Sequence, residues 1–578
     1  MKSAQKEKLA SFFSNNYQYV IPFFQRAYVW KEENWAELLS DIEEEVEAHR
    51  NKEASEHFIG TVITKPLDHD SFSNARLELI DGQQRLTTVA LLLKAIALAS
   101  SDPDGPLARK VGEDLMFEDS YGVKFIRIEH SSVDQPSFEQ IMRARDYVEI
   151  STKEDGQIHG AIRYFYQALR GRTADDLRLM RGIILEKLPV IAMNLDKKDD
   201  EQAIFDTINS LGVKLTVGEL LKNYLFRGEE SRGLYDEYWK DVFESDNDTV
   251  AFWSAPRTQG RIKRTNLEVL LYCFLIVETE KEVRLDKLYK SYQTYVDRLD
   301  GLQRKREFLD RLHTYAVIYR RFPDEKRLTQ FEHEDVELRA FYTFDNLSIS
   351  TVYPLLLFVY SSLEHDEDQA RSCARLIESY VVRRLICKLT NKNYNKFFIS
   401  VVRELKRSEV TAANLLKELS SSEEDSSRFP DDEEVEIGTL YNGQPNTKAK
   451  PILFGIALYE RSDVRHDSTR LAPGSLSVEH IMPTKWEEHW PKRGLSDVEV
   501  QQRRERVKTL GNLTLVTQSL NATIKHHPWT RKSGHLKKYS TLPMTTRYLD
   551  RSDWNEVAIE ARGRELAAEI IKTWSREV

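Results

Sequence analysis

The chain has 578 residues, which is too long for a single hydrophobic core, so we expect two to four domains. Its 40% hydrophobic and 31% charged content is typical of a soluble globular protein, and its net charge of −9 argues against a surface that binds nucleic acid everywhere. Cys273, Cys373 and Cys387 match no metal or disulfide spacing. No signal-peptide core follows Met1, and the longest apolar run, 269–277, is far shorter than a membrane span. We therefore expect a cytoplasmic protein without membrane contact.

Short apolar runs near the amino terminus, each followed by turn-forming residues, predict β-strands over 19–22, 58–63 and 77–80. The last run breaks at Asp81-Gly82, a strong turn dipeptide, and 86–99 is mostly apolar and helix-forming. A strand, a glycine turn and a helix in this order aim backbone N–H groups and the positive helix end at one point. The arrangement favours a bound phosphate.

A second α/β segment follows, after a stretch over 101–185 that we predict to be helical with loops. In chain order we predict a strand over 188–195, a helix over 199–210 that stops at Gly212, and a helix through Phe226 that Thr216 and Glu219 cap.

The middle of the chain, from 231 to 420, has Leu, Tyr and Arg at three- and four-residue spacing and is predicted to be helical throughout. Thr265 and Glu268 form a capping box before the run 269–277, which we interpret as a buried helix. This bundle would serve as a spacer or as the platform of a homodimer, and the pattern leaves both open. We predict a domain over 1–230, a helical connecting domain over 231–420, an acidic linker over 421–440 and a C-terminal domain over 441–578.

The clearest chemistry lies near the carboxyl end. Glu479 and His480 form a carboxylate–histidine pair, followed by Asn512 directly after a glycine and then by Asn521. Phosphodiester hydrolysis needs a base that activates water and a cation for the charge on the phosphate. A neutral histidine suits the first task because its pKa lies near physiological pH, and oxygen ligands suit Mg²⁺ for the second. We predict strands over 478–481 and 513–516, with Asn521 on a short helix after them.

The segment 521–551 is strongly basic, with His526, His527 and Trp529 interleaved and Asp550 as its one acid. Such a patch can attract phosphate locally although the whole chain is acidic. The alternative is a solvated basic face. The predicted DNA contacts are Lys525, Arg531, Lys532, Lys537 and Lys538, and Arg547 and Arg551 complete the basic set.

Residues 475–575 resemble the C-terminal domain of the GmrSD family of modification-dependent restriction proteins. The resemblance implies a ββα-metal (HNH-type) nuclease fold. It makes His480 the general base, Glu479 and Asn521 ligands of Mg²⁺ or Mn²⁺, and Asn512 a catalytic residue with an orienting role. His526 and His527 are outside the family pattern; we interpret them as surface histidines, with an extra metal or phosphate contact as the alternative. The matching positions are Glu479, His480, Ile481, Pro483, Gly511, Asn512, Leu513, Leu515, Asn521, Lys537, Lys538, Trp554 and Arg562.

Two Gln-Arg motifs beside apolar anchors resemble the N-terminal domain of the same family. Arginine can bind phosphate in bidentate fashion and glutamine can read a base edge, whereas a structural turn or surface ion pair is the alternative. The resemblance implies a ParB-like α/β fold that binds and hydrolyses a nucleotide, with GTP, ATP or CTP left open. The matching positions are Ile21, Pro22, Gln25, Arg26, Tyr28, Trp30, Phe58, Gly60, Asp81, Gly82, Gln83, Gln84 and Arg85. Of these, Gln25, Arg26, Asp81, Gly82, Gln83, Gln84 and Arg85 are the predicted nucleotide contacts. Similar only in character are Ile204, Phe205, Asn209, Gly212, Leu215, Leu221, Lys222 and Asn223, with Glu219 where the family often has Asp.

Together the patterns predict a multidomain, predominantly helical α+β protein. The leading hypothesis is an NTP-regulated, metal-dependent DNA endonuclease of bacterial phage defence, which cleaves or nicks double-stranded DNA according to its modification. One alternative is an SspE-like nickase that senses phosphorothioate, and BrxU-like proteins share the layout. Others are a DNA sensor that does not cut and a toxin-like nuclease without selectivity.

Overall fold

The computed structural model describes residues 3–53, 55–67, 75–119, 121–131, 133–150, 156–196, 216–226, 229–259, 262–323, 327–462, 470–488, 490 and 494–577. The chain divides into two compact units, Met1–Tyr235 and Asp236–Val578. The segments 231–420 and 441–578, predicted as separate domains, therefore fall largely within one unit. The helix predicted over 199–210 and its stop at Gly212 lie outside the described residues.

The first unit is built on a mixed sheet. Its strands are β1 Ser3–Lys8, β2 Gln18–Val20, β3 Thr61–Pro66, β4 Arg76–Asp81, β5 Met116–Glu118, β6 Lys124–Ile126, β7 Ile128–Glu129 and β8 Pro189–Asn194. Six of them form the sheet in the order β1-β8-β3-β4-β2-β7, and β5 pairs with β6 apart from it. β1 with β8 and β3 with β4 are antiparallel, whereas β3 with β8, β4 with β2 and β2 with β7 are parallel. The four predicted strands of this unit are confirmed, with the second shifted from 58–63 to Thr61–Pro66.

The glycine turn after β4 is set by close backbone contact. Gly82 has φ +93°, and a Cβ there would lie 3.0 Å from the Thr61 carbonyl oxygen, so a larger side chain would be strained. The helix Gln83–Ala99 begins directly after it and is buried on nearly all sides, in a hydrophobic core that it shares with the strand residues Val62 and Leu79 and with neighbouring helices. The α-helices of this unit are Ala10–Phe13, Glu32–Arg50, Gln83–Ala99, Pro106–Leu115, Gln135–Arg143, Gln157–Leu169, Ala174–Lys187, Val217–Leu225 and Arg232–Leu234.

The second unit is mostly helical, but the prediction of helix throughout 231–420 is wrong at one point. β9 Pro256–Gln259 and β10 Ile262–Thr265 form an antiparallel pair. Pro256 follows the end of a helix and disfavours its continuation. Thr265 then accepts a hydrogen bond from the Glu268 N–H (3.2 Å) and starts the buried helix Asn266–Thr279 as predicted.

The α-helices of the second unit are Asp241–Phe243, Asn247–Ser254, Asn266–Thr279, Leu288–Val296, Gly301–Arg321, Val336–Asn346, Tyr353–Ser362, Glu367–Ile386, Tyr394–Arg407, Ala412–Leu419, Asp432–Tyr441, Asn446–Ser462, Asp497–Arg506, Gln518–Ile524, Trp529–Tyr539, Pro543–Thr546 and Glu556–Thr573. Among the described residues, none of the helices in either unit is both long and apolar enough to cross a membrane.

The acidic segment 421–440 is packed into this unit, which corrects its prediction as a linker. It contains most of the helix Asp432–Tyr441, in which Val435 and Thr439 are fully buried. The buried Arg384 guanidinium donates hydrogen bonds to the carbonyl oxygens of Asp425 (3.1 Å), Ser426 (3.0 Å) and Arg428 (2.6 Å). These hydrogen bonds fix the backbone of a segment whose Ser- and acid-rich sequence alone would favour exposure to solvent.

Near the carboxyl end, β11 Leu476–His480 and β12 Leu513–Thr517 form an antiparallel pair with His480 opposite Leu513. The helix Gln518–Ile524 follows directly. The predicted strands over 478–481 and 513–516 and the short helix that carries Asn521 are therefore confirmed as elements. The two strands contribute Val478 and Leu515 to a hydrophobic core cluster that also includes Trp574.

Candidate active site

Asn521 and Glu479 lie on the same side of the strand pair β11–β12. The Asn521 side-chain NH₂ donates to Ser477 Oγ (3.0 Å) and to the Val478 carbonyl (3.2 Å). Side chains alternate along a strand, so Ser477 and Glu479 point to one face. Within the described residues Asn521 Oδ1 takes part in no hydrogen bond, which leaves this oxygen available to a ligand. The structure thus places the two predicted metal-binding residues on one face of the strand pair.

His480 ends β11, and its side chain is half-buried. Burial, aided by the nearby charge of Lys532, lowers the pKa of His480 to about 4, so the ring is neutral at physiological pH. No hydrogen bond from a described residue reaches its ring nitrogens. A neutral imidazole in this state can accept a proton, as a general base must.

Lys532 is the main surprise of the site. It is fully buried, with 0% of the residue exposed, and its Nζ forms an ion pair with Glu479 Oε1 and donates to the His480 carbonyl (2.7 Å). Burial raises the pKa of Glu479, opposed by the charge of Lys532, and burial lowers the pKa of Lys532, opposed by Glu479. Its prediction as a DNA contact is therefore wrong, because a buried ammonium cannot reach a DNA backbone. Helical spacing was the missed signal: Trp529, Lys532 and Leu536 share the buried face of the helix Trp529–Tyr539.

Asn512 is fully buried, and its side chain is used entirely by neighbouring groups. Its Oδ1 accepts from the Met482 N–H (2.8 Å) and from Trp554 Nε1 (3.0 Å), and its Nδ2 donates to the carbonyls of Met482 (2.8 Å) and Val507 (2.8 Å). None of these partners belongs to the His480 ring. The side chain of this predicted catalytic residue therefore holds the backbone turn that follows His480.

The start of β12 is clamped by the helix Glu556–Thr573. Arg562 is fully buried and its Nη1 donates to the carbonyls of Gly511 (2.9 Å) and Leu513 (2.8 Å), while burial lowers its pKa to about 10. A Cβ on Gly511 would lie 2.2 Å from the Ile559 carbonyl oxygen. Only glycine permits this approach, which explains the residue before Asn512.

The other four predicted DNA contacts, Lys525, Arg531, Lys537 and Lys538, are exposed. Lys537 pairs with Asp550 (2.6 Å), and the Lys538 ammonium lies 5.1 Å from the centre of the Tyr539 ring. Exposure fits both a DNA-binding patch and a solvated face. His526 is also exposed, and its charge, when protonated, opposes the burial that raises the pKa of Glu479.

In the first unit, Gln84 joins the two Gln-Arg motifs. Its Oε1 accepts from the Val29 N–H (2.9 Å), and its Nε2 donates to the Ala27 carbonyl (3.3 Å). Both partners lie within three residues after Gln25-Arg26, so the structure brings the separated motifs together. Gln84 itself is occupied by these bonds and serves as a brace.

Two buried polar atoms in these motifs have no hydrogen-bond partner in the part of the chain that the structure describes: Gln83 Oε1 and Arg26 Nε. Gln83 is only 8% exposed. Arg26 Nη1 is 3.7 Å from Glu219 Oε1 on the capping box of the helix Val217–Leu225. Unpaired buried groups are costly in a folded protein, so these two atoms need a partner beyond the described residues.

Asp81 and Arg85 flank Gly82-Gln83-Gln84 in the sequence. Arg85 Nη1 donates to the Thr61 carbonyl (3.3 Å), and its guanidinium lies over Gly60, which has φ +114°. Asp81 is the last residue of β4, opposite Ile63. Of the more distant family positions, Lys222 is buried, whereas 204–215 lie outside the described residues.

A cavity of about 530 Å³ lies beside the first motif, and no pattern in the sequence indicates it. Ile21, Phe23 and Phe24 line it together with Glu78 and Arg232. Its volume and mixed lining are typical of small-molecule sites.

Comparison with known proteins gives two family matches. The model of the GmrSD restriction endonuclease N-terminal domain matches residues 9–226, and the model of the GmrSD restriction endonucleases C-terminal domain matches residues 390–569. The first covers both Gln-Arg motifs, and the second covers the pair β11–β12, Asn521 and Lys532. No curated protein matches the chain.

Proposed function

Because the chain belongs to the GmrSD restriction endonuclease family, we propose that it is a modification-dependent DNA endonuclease whose cutting needs a divalent metal and is regulated by a nucleotide. The observation that carries this proposal is the grouping of Glu479, His480 and Asn521 at the end of one strand pair and the helix after it. Strand, strand and helix in this order support an HNH-type arrangement.

The donor set fits Mg²⁺ or Mn²⁺. Glu479 offers a carboxylate and Asn521 a carbonyl oxygen on the same face, and hard oxygen ligands with several waters are what Mg²⁺ prefers. Within the described residues no three His, Cys, Asp or Glu side chains cluster, so water would complete the coordination. A bound ion would supply positive charge to the phosphate and the leaving oxygen. His480, neutral and half-buried, would take the proton of the attacking water, and Asn512 would hold the turn behind it.

The first unit is proposed to bind the nucleotide. The N-terminus of the helix Gln83–Ala99 presents free N–H groups after Gly82, which favours a phosphate. The unpaired Gln83 Oε1 and Arg26 Nε give a ligand polar atoms to satisfy. Gln84 holds the two motifs at a fixed spacing, so one ligand can contact both.

One observation favours a second candidate, a DNA sensor that does not cut. Glu479 already has a counter-charge in Lys532, and an ion-paired carboxylate is a weaker metal ligand than a free one. Such a protein would bind DNA through Lys525 and Arg531 and respond to nucleotide without leaving ends.

Plasmid cleavage distinguishes the candidates. Unmodified, glucosylated and phosphorothioated plasmids are incubated with Mg²⁺ or Mn²⁺ and with GTP, ATP, CTP or no nucleotide. We expect the protein to cut the plasmid of one modification class and to do so with one of the nucleotides. His480→Ala should abolish cutting and keep nucleotide hydrolysis, because the histidine is remote in sequence from the nucleotide motifs, and His535→Ala is the matched control. Uncut plasmid under every condition would support the sensor, and cutting by His480→Ala would exclude the assigned base.

A further inference from the structure

The buried pair Glu479–Lys532 joins a predicted metal ligand to a fixed positive charge. Lys532 Nζ contacts Glu479 Oε1 and is anchored a second time by the His480 carbonyl at 2.7 Å. Since the residue is fully buried within a helix that packs through Trp529 and Leu536, the ammonium has no solvent-exposed position nearby. It therefore stays beside the carboxylate.

A divalent ion at Glu479 would meet this ammonium at close range. Like charges repel strongly where water is excluded, and salt screens such a buried pair little. Lys532 already occupies one oxygen of the Glu479 carboxylate and neutralises its charge. The divalent ion would therefore have to share this carboxylate with the ammonium. Both effects weaken metal binding relative to a free carboxylate in the same place.

We propose that Lys532 is an intramolecular cation that competes with the divalent metal for Glu479, and so sets the metal concentration at which the site fills. This inference relies on the proposed metal-dependent function. Lys532 is thus a positioning residue that acts through Glu479. DNA phosphates brought to the site would add negative charge and shift the balance toward the metal.

Mn²⁺ binding to the full chain, measured by electron paramagnetic resonance of the free ion, tests the proposal without DNA or cleavage. Lys532→Met removes the charge and keeps the length of the side chain, and we expect it to bind Mn²⁺ at least tenfold more tightly than the wild type. Lys532→Arg keeps the charge and should bind as weakly as the wild type. Lys572→Met is the matched control and should change nothing, because Lys572 is exposed and pairs with Glu569 on its own helix, Glu556–Thr573.

Thermal unfolding provides a second readout, because Lys532→Met leaves a buried carboxylate unpaired. Mn²⁺ should raise the melting temperature of this variant more than that of the wild type, and Glu479→Gln should remove the response of both. Equal or weaker Mn²⁺ binding by Lys532→Met would overturn the competition alone. If Lys532→Met fails to fold both with and without Mn²⁺, the metal cannot replace the ammonium. That result would also overturn the competition alone. Binding that Glu479→Gln leaves unchanged in both backgrounds would overturn the metal site, and with it the proposed function.

Discussion

Replacing Asn512 by alanine separates a positioning role from a catalytic one. The change removes four hydrogen bonds at a fully buried site and leaves the Met482 N–H and carbonyl, the Val507 carbonyl and Trp554 Nε1 without partners. An unsatisfied buried group costs about 1–3 kcal/mol. At the lower figure for each of four groups, we expect the free energy of unfolding to fall by about 4 kcal/mol.

The measurement is urea unfolding of the full chain followed by tryptophan fluorescence. Asn521→Ala is the matched comparison, because Asn521 is half-buried and its two partners can turn to water. It should cost less than about 1 kcal/mol but abolish Mn²⁺ binding. If Asn512→Ala were as stable as the wild type and yet inactive, the reasoning would be refuted and Asn512 would act on the substrate.

Substitutions at three other places in the chain should change its stability or its ligand binding. Burial raises the pKa of Asp134 to about 6, so the folded chain keeps a proton that the unfolded chain loses near pH 4, and stability falls as pH rises from about 4 to about 6. Asp134→Asn should remove up to about 3 kcal/mol of that fall, measured by denaturation across this range; an unchanged pH profile would contradict the assignment. Gly511→Ala should destabilise the second unit by more than about 3 kcal/mol, because its Cβ meets a backbone oxygen. Gly534→Ala lies in a helix and its Cβ meets nothing within 4 Å, so it should stabilise the unit by about 0.5–1 kcal/mol. Melting temperatures of the two variants test both expectations. Gln84→Ala should lower the melting temperature because a brace is lost, whereas Gln83→Leu should leave it unchanged or higher and abolish nucleotide binding, measured by calorimetry; tight binding by Gln83→Leu would exclude that site.

Local signals in the sequence were enough for several elements. Thr216 and Thr265 each begin a helix with a capping box, and the interaction spans only three residues. The strand pair that carries Glu479 was also predictable, because apolar residues and a proline frame it. These features depend on neighbours along the chain, so their residue pattern contains the information.

Features that depend on distant partners could not be predicted in this way. β1 is Ser-Ala-Gln-Lys-Glu-Lys, without a strand pattern, and it exists because β8, far along the chain, pairs with it. Nor does composition show that Lys532, among several surface lysines in the same segment, pairs with a buried carboxylate. The segment 421–440 has the composition of a linker, and only the structure shows that the Arg384 guanidinium donates hydrogen bonds to its carbonyl oxygens.

Arg383, the neighbour of Arg384, determines how the C-terminal half can be dissected. Its Nε donates to the Trp574 carbonyl (2.6 Å), to which Ser379 Oγ also donates (2.8 Å), and its Nη1 pairs with Asp432 (2.7 Å). The helix that carries these donors, Glu367–Ile386, ends before the family match at residue 390 begins. A fragment cloned at the family boundary would therefore lose the groups that tie down the last helix. A fragment of the C-terminal half should therefore begin before Glu367, upstream of the helix that holds the carboxyl terminus in place.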